Sequence, residues 1–456
     1  MTAPAVARGV PTRTSGVASA PLPWADRFLL AVAIGMMSFG VTFPIYGTPP
    51  VLGLARITFF RASILVLLFL APIWLRHITS VLSDFRVLAL VLVAGLRAVS
   101  LVWSSGRASG AEQVEWFAES VLGLSLLVAC AKAYPGLPRT LFWNLLGFGL
   151  LSGVAVCVQF AEYQATGAVS ALPLAMSPFG VQLERTTTLV GTFYPLGAGG
   201  RILGPFQEPN ATGSVMSYVG CLAIALLLDK RWKLKALSVT LLSVLACGLW
   251  ASGSRQAIVA IGFTALFFAF LNSRRSTWAA LIVLMLLAGA GSYVAIEGIA
   301  FLRGNLDPRS AGTLARVVQA TESGDVSGGR FQNYRLLAGQ LNADAFLLGR
   351  GDGFAFAADA IGAHNGYLVV LLDDGMWALG LLMAALIATF WGAFRAGRHP
   401  TEQGTDRRLS QAGLLVVVVW ILLVGMNWAQ LNQAFAWPFL ALAFMSCARP
   451  RTVARG

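Results

Sequence analysis

Residues 409–427 read LSQAGLLVVVVWILLVGMN. From Leu414 to Val424 every side chain is apolar, with no charge and no alternation of period two. As a helix, a segment of this length reaches about 28 Å, close to the hydrocarbon thickness of a bilayer. It reads as a membrane-spanning helix. Eleven further runs read the same way: 28–45, 55–75, 86–103, 115–133, 139–161, 210–228, 236–252, 255–271, 278–297, 375–395 and 432–447. The chain is therefore expected to be an all-α polytopic membrane protein of about twelve transmembrane helices. Of its 456 residues, 57% are hydrophobic and 12% charged, with mean hydropathy +0.72. These values exclude a soluble globule, a disordered chain and a disulfide scaffold.

A net charge of +13 raises the question of nucleic acid. Its distribution answers it. The connections on one side of the spans, with the span ends that flank them, hold 20 Lys and Arg against 5 acids, and all four Lys are among them. The remainder holds 13 Arg against 15 acids. That asymmetry is the positive-inside pattern of a multi-pass membrane protein, so the expected surface partner is the lipid bilayer and not nucleic acid. Both termini fall on the basic, cytoplasmic side. Residues 1–27 read as a disordered cytoplasmic tail, 28–447 as a single transmembrane domain and 448–456 as a second tail. The five cysteines all sit in apolar runs and show neither a disulfide nor a zinc pattern. No cofactor and no metal is expected.

Two long connections fall on the outer side, 162–209 and 298–374, the second lying between late spans. Loops of this length are usually functional. The piece from Leu336 to Leu348 reads as an amphipathic surface helix.

Every basic residue on the outer side or inside the spans, away from their basic-side ends, is Arg, whose planar fork grips phosphate. In the stretch Arg201-Ile-Leu-Gly-Pro-Phe-Gln-Glu-Pro-Asn210, Asn210 suits a helix cap and Glu208 suits the positive helix end. Arg201 does not, unless it has an anionic partner such as Glu208 or a ligand. Arg255 follows the tight turn Ala251-Ser-Gly-Ser254, where a cation is either snorkelling or binding something. Farther on, Arg330 and Tyr334 share a helical face, while Arg335 points elsewhere and reads as solvated. Arg350 sits in the glycine-rich turn Leu348-Gly-Arg-Gly-Asp-Gly353, which by itself reads as a plain loop. His364 and Asn365 open a short apolar segment ending at Asp373-Asp374-Gly375. His77 and His399 lie on the basic side, so His364 is the one outer histidine and the one near-neutral base there. Arginines converging with one histidine suit an anionic lipid headgroup, and above all a departing diphosphate.

The order of these motifs resembles the bacterial O-antigen ligase / O-antigen polymerase family of polyprenyl-diphosphate glycan transferases. The likeness covers about 190–395: Arg201 with Gly204-Pro-Phe-Gln-Glu-Pro-Asn210, Ser252-Gly-Ser-Arg255, Gly329-Arg330-Phe, the 348–353 turn, and His364-Asn365-Gly-Tyr367 with Asp374-Gly375. The resemblance implies a glycosyltransferase-C-like membrane fold in the bacterial inner membrane and a periplasmic active site. It implies a metal-independent glycosyltransferase that moves a glycan from an undecaprenyl-diphosphate carrier to a hydroxyl. His364 would be the base, with Arg201, Arg255 and Arg330 on the diphosphate. The remaining polar candidates, Tyr334, Arg335, Arg350, Glu208, Asn210 and Asn365, would line the substrate. Glu208-Pro209-Asn210, in place of the Asn-Pro-Asn of many ligases, resembles exopolysaccharide polymerases. The acceptor would then be a growing glycan, with a lipid A-core acceptor as the ligase alternative. A chain-length regulator or envelope assembly proteins would be further partners. Two other classes stay open from the residues: a transporter or flippase, to which Arg61 and Arg97 within apolar runs would belong, and a structural scaffold.

Overall fold

A backbone placed in lipid must satisfy its polar groups within the segment, and an uninterrupted apolar chain does so as α-helix. In a computed structural model, residues 23–42, 59–166, 202, 209–272, 335–337, 339–357, 365–398, 404–426, 431 and 433–447 are described. Among them there is helix and no strand. The elements are α1 (Trp24–Thr42), α2 (Phe59–Phe69), α3 (Ala71–Leu82), α4 (Phe85–Ser100), α5 (Arg107–Ala133), α6 (Leu137–Thr166) and α7 (Pro209–Leu226). They continue with α8 (Trp232–Ser252), α9 (Arg255–Leu271), the short α10 (Ala343–Leu348) and α11 (Phe354–Ala357), α12 (Gly366–Arg398), α13 (Gly404–Met426) and α14 (Trp437–Cys447).

Five helices among the described residues are long and apolar enough to cross a bilayer, six if the bent pair α2–α3 is one span. The outward faces carry exposed Leu88, Leu92, Val99, Leu151, Val158, Val259, Phe263 and Ile387. A soluble protein does not leave such continuous apolar faces in water, and the chain is a multi-pass membrane protein.

α7 is buried on all sides from Ala211 to Leu226. Its small residues make this possible, because close helix contact in lipid needs small side chains. A Cβ on Gly213 would lie 2.4 Å from Ser254 Cβ, and one on Gly149 would lie 2.2 Å from a Val219 methyl. α8, α9 and α13 pack around α7, α12 lies along α4 and α13, and α14 fits between α5, α12 and α13. Trp420 and Trp437 meet edge to face at the centre, 5.9 Å between rings.

The helix ends sort into two sets. At one end Asp229 accepts from Arg231 and pairs with Arg408 at 2.7 Å, joining the α7–α8 connection to the start of α13. Lys132, near the end of α5, donates to Ser80 of α3. This is the end that carries the basic connections. The opposite end holds the α8–α9 turn, the start of α12 and the 349–353 turn.

Four expectations are corrected. The run 55–75 is not one straight helix: α2 and α3 meet at 98°. Pro72, in the first turn of α3, has no N–H to bond the preceding turn and clashes with it. The piece 336–348 is not one helix either. It breaks around Gly339, and Asn342 accepts from Ala345 N at 2.8 Å to start α10 afresh. The span expected from 375 begins as helix at Gly366 and is interrupted at Gly375, where φ is 82° and ψ 178°. Finally α1 begins at Trp24, so Trp24–Arg27 belong to a helix and not to the tail. The expected span 278–297, residues 1–22 and the tail 448–456 lie outside the described residues.

Candidate functional site

Gly253, with φ 57°, ends α8 in the left-handed conformation that glycine adopts without a steric penalty. Ser254 is the only other residue before α9 opens at Arg255. The turn docks closely on its neighbours. Ile202 N donates to Ala251 O at 2.8 Å, which holds Ile202 against the end of α8, just before the turn that leads to Arg255. Ser217 Oγ of α7 donates to Ala257 O of α9 at 3.1 Å. The N-terminal parts of α7 and α9 therefore lie against each other, with Ile202 bonded close by. The positive ends of their dipoles suit an anion.

Asn210 stands in the first turn of α7, behind Pro209. Proline is favoured at that first position, where its missing N–H costs no helix bond. Arg201 and Glu208 themselves lie outside the described residues, and of Arg255 only the backbone is described. Arg330, Tyr334 and His364 also lie outside them.

Asn365 is described, and it caps: its Oδ1 accepts from Leu368 N at 3.0 Å. Tyr367, two residues on, donates from its hydroxyl to Ile421 O at 2.9 Å and so ties the start of α12 to α13. Arg335 is exposed on a single helical turn, as a solvated residue should be. Arg350 donates to Gln340 O at 3.2 Å and stacks over Phe354.

The 349–353 turn is not the plain loop its sequence suggests. Gly349, Gly351 and Gly353 all have positive φ, and the turn is buried between α4, α5 and α12. A Cβ on Gly351 would lie 2.4 Å from Ser104 Cα, and one on Gly353 would lie 2.6 Å from Gly110 N. Arg350 N donates to Leu372 O at 2.6 Å and Gly351 N to Asp373 O at 2.8 Å. At its centre is a charged network that no single motif pointed to. Arg97 of α4, 2% exposed, donates from Nε to Asp352 Oδ2 at 2.5 Å, and Asp374 Oδ2 lies 3.4 Å from the same nitrogen. The guanidinium also lies over the Phe117 ring, 4.9 Å from its centre. Asp373 accepts from Gly353 N and Ala355 N. The signal in the sequence was Arg97 itself: a cation in an apolar run needs a carboxylate. Only the fold says which.

Arg61, the other arginine within an apolar run, is held by Glu115 and Glu119 of α5, both at 2.8 Å. Both arginines on which a transport reading rests thus have carboxylate partners on other elements. That is the ordinary state of a structural intramembrane cation.

No family model matches the chain, and no curated protein matches it.

Proposed function

We propose that the protein is a glycan transferase acting at the non-basic end of its helices, and that it joins glycan repeat units carried on a polyprenyl diphosphate. The observation that supports the reading is the Ile202–Ala251 hydrogen bond, which holds Ile202, the sequence neighbour of Arg201, against the α8–α9 turn that precedes Arg255. The sequence resemblance supplies the reaction class. In the proposed mechanism His364 takes the proton of an acceptor hydroxyl. The freed oxygen attacks the anomeric carbon, the bond from that carbon to the diphosphate breaks, and the diphosphate leaves with both electrons. Arg201, Arg255 and Arg330 meet its growing negative charge, which is where fixed cations act most strongly. Glu208, Asn210, Tyr334, Arg335, Arg350 and Asn365 belong to the surrounding substrate surface. Asn365 has a structural task as a cap, and Arg335 and Arg350 are secondary.

The full proposal has twelve spans in a glycosyltransferase-C-like arrangement in a bacterial inner membrane. Both termini are cytoplasmic and the site is periplasmic. Donor and acceptor are an undecaprenyl-diphosphate glycan and a sugar hydroxyl.

The test is to size lipid-linked glycans by mass spectrometry in cells whose only copy carries His364→Ala. Accumulated single repeat units are expected, with the long polymer missing. Long chains retained on the lipid would instead assign the ligase reaction. An unchanged profile, in both His364→Ala and Arg255→Ala, would refute transfer chemistry at this site. Lys233→Ala, at the other end, serves as the control and should leave product near normal.

A further inference from the structure

Ser100 Oγ sits among three groups: Asp352 N, which donates to it at 2.9 Å, Arg97 O at 2.9 Å, and Asp374 Oδ1 at 3.0 Å. A hydroxyl has one proton and two lone pairs. One lone pair takes the Asp352 N–H. The single proton cannot serve both Arg97 O and an ionised Asp374. If Asp374 carries a proton, its O–H donates to the second lone pair and Ser100 donates to Arg97 O. The one proton and both lone pairs of Ser100 are then used.

The charges agree. Arg97 already faces Asp352, and an ionised Asp374 beside them would add a further buried anion opposite one guanidinium. Among the described residues the other nearby charges are engaged elsewhere or exposed: Arg107 of α5 donates to Val102 O, Glu112 is exposed, and Arg350 of the turn donates to Gln340 O and lies over Phe354. α5 presents Gly110 and Phe117, and its Glu115 and Glu119 are taken by Arg61. α11 has no charged residue, and Asp344, the only charge on α10, is exposed. Asp373 has its oxygens on two backbone N–H groups. Among the described residues no group of His, Cys, Asp and Glu is arranged to hold a metal ion.

We propose that Asp374 is a proton-carrying latch, which together with Ser100, Asp352 and Arg97 holds the Gly349–Gly353 turn against the break in α12. When Asp374 ionises, its proton passes to hydroxide to form water. The new carboxylate draws on the one Ser100 proton and faces the Asp352 anion, and the turn is released. This device is independent of the glycan-transfer reading.

The test is hydrogen exchange of the 349–353 amides in purified, detergent-solubilised protein across neutral to alkaline pH, corrected for intrinsic base catalysis and referred to α13. Wild type should lose protection about tenfold or more on alkalinisation. Asp374→Asn, neutral yet still able to donate and accept, should keep it. Identical pH courses in the two proteins would overturn the latch. Infrared spectroscopy of wild type alone gives a second measurement, needed if the variant does not fold. A protonated-carboxyl C=O band should be present at neutral pH and vanish in step with protection. Its absence would overturn the proposal equally.

Discussion

The Arg97–Asp352 pair is buried to 2% and 0% exposure, so neither charge can fall back on water. Removing one partner of such a pair costs about 3–5 kcal/mol. Arg97→Met should lower stability by that order, read as the unfolding midpoint in detergent. Arg97→Met combined with Asp352→Leu should recover much of the loss, since the pair replaced by apolar groups leaves no stranded anion. A double variant no better than the single one would contradict this account. Gly351 poses a different constraint. With φ 96° and a backbone atom 2.4 Å from where its Cβ would stand, it cannot be replaced without strain. Gly351→Ala should cost more than about 1 kcal/mol and loosen the turn, which limited proteolysis around 349–353 would report.

At the level of elements, α7 packs closely on α9 and on the turn before it. The outermost glycine of that contact, Gly213, faces Ser254 and Ala257. Overpacking a well-fitted contact costs about 1–3 kcal/mol. Gly213→Val should therefore destabilise the protein and push the α8–α9 turn outward, so that it also diminishes any product made there. Gly35→Val in α1 is the control, since a Cβ at Gly35 meets nothing within 4 Å. Equal effects from the two variants would show that the α7–α9 contact does not set the turn.

The whole molecule has a basic end clasped by Asp229. Burial works against the charge of this carboxyl, but hydrogen bonds from Arg231 and the nearby charge of Arg408 outweigh it and hold its pKa below the ordinary value. A depressed folded pKa means that the stabilisation is complete above the unfolded value, about 3.9, and is lost as pH falls through the folded one. Asp229→Asn should thus destabilise at neutral pH by up to about 1 kcal/mol, as screened pairs near the surface do, and the gap to wild type should close in acid. A gap that widens in acid would reverse the sign and refute the pairing. Topology is tested at the same scale. Lys233→Cys and Asp344→Cys, both at exposed or half-exposed positions, should be labelled by a membrane-impermeant reagent from opposite faces of the membrane. Labelling from one face would dismantle the two-ended arrangement.

Helicity, membrane residence and the sorting of charge to one end were legible in runs such as 409–427 and in the cluster Lys230–Lys235, because the bilayer imposes local rules: apolar length and cation placement are properties of single segments. The tight turn before Arg255 was legible for the same reason. The break at Gly375, the 98° bend after Phe69 and the partners of Arg97 were not. Asp352 lies 255 residues from Arg97 in sequence, and nothing local distinguishes it from Asp344, six residues before Arg350, which stays exposed. Which carboxylate meets a buried arginine is decided by how α4, α12 and the glycine turn pack. Burial, not residue type, is what makes that choice cost several kcal/mol if it is wrong.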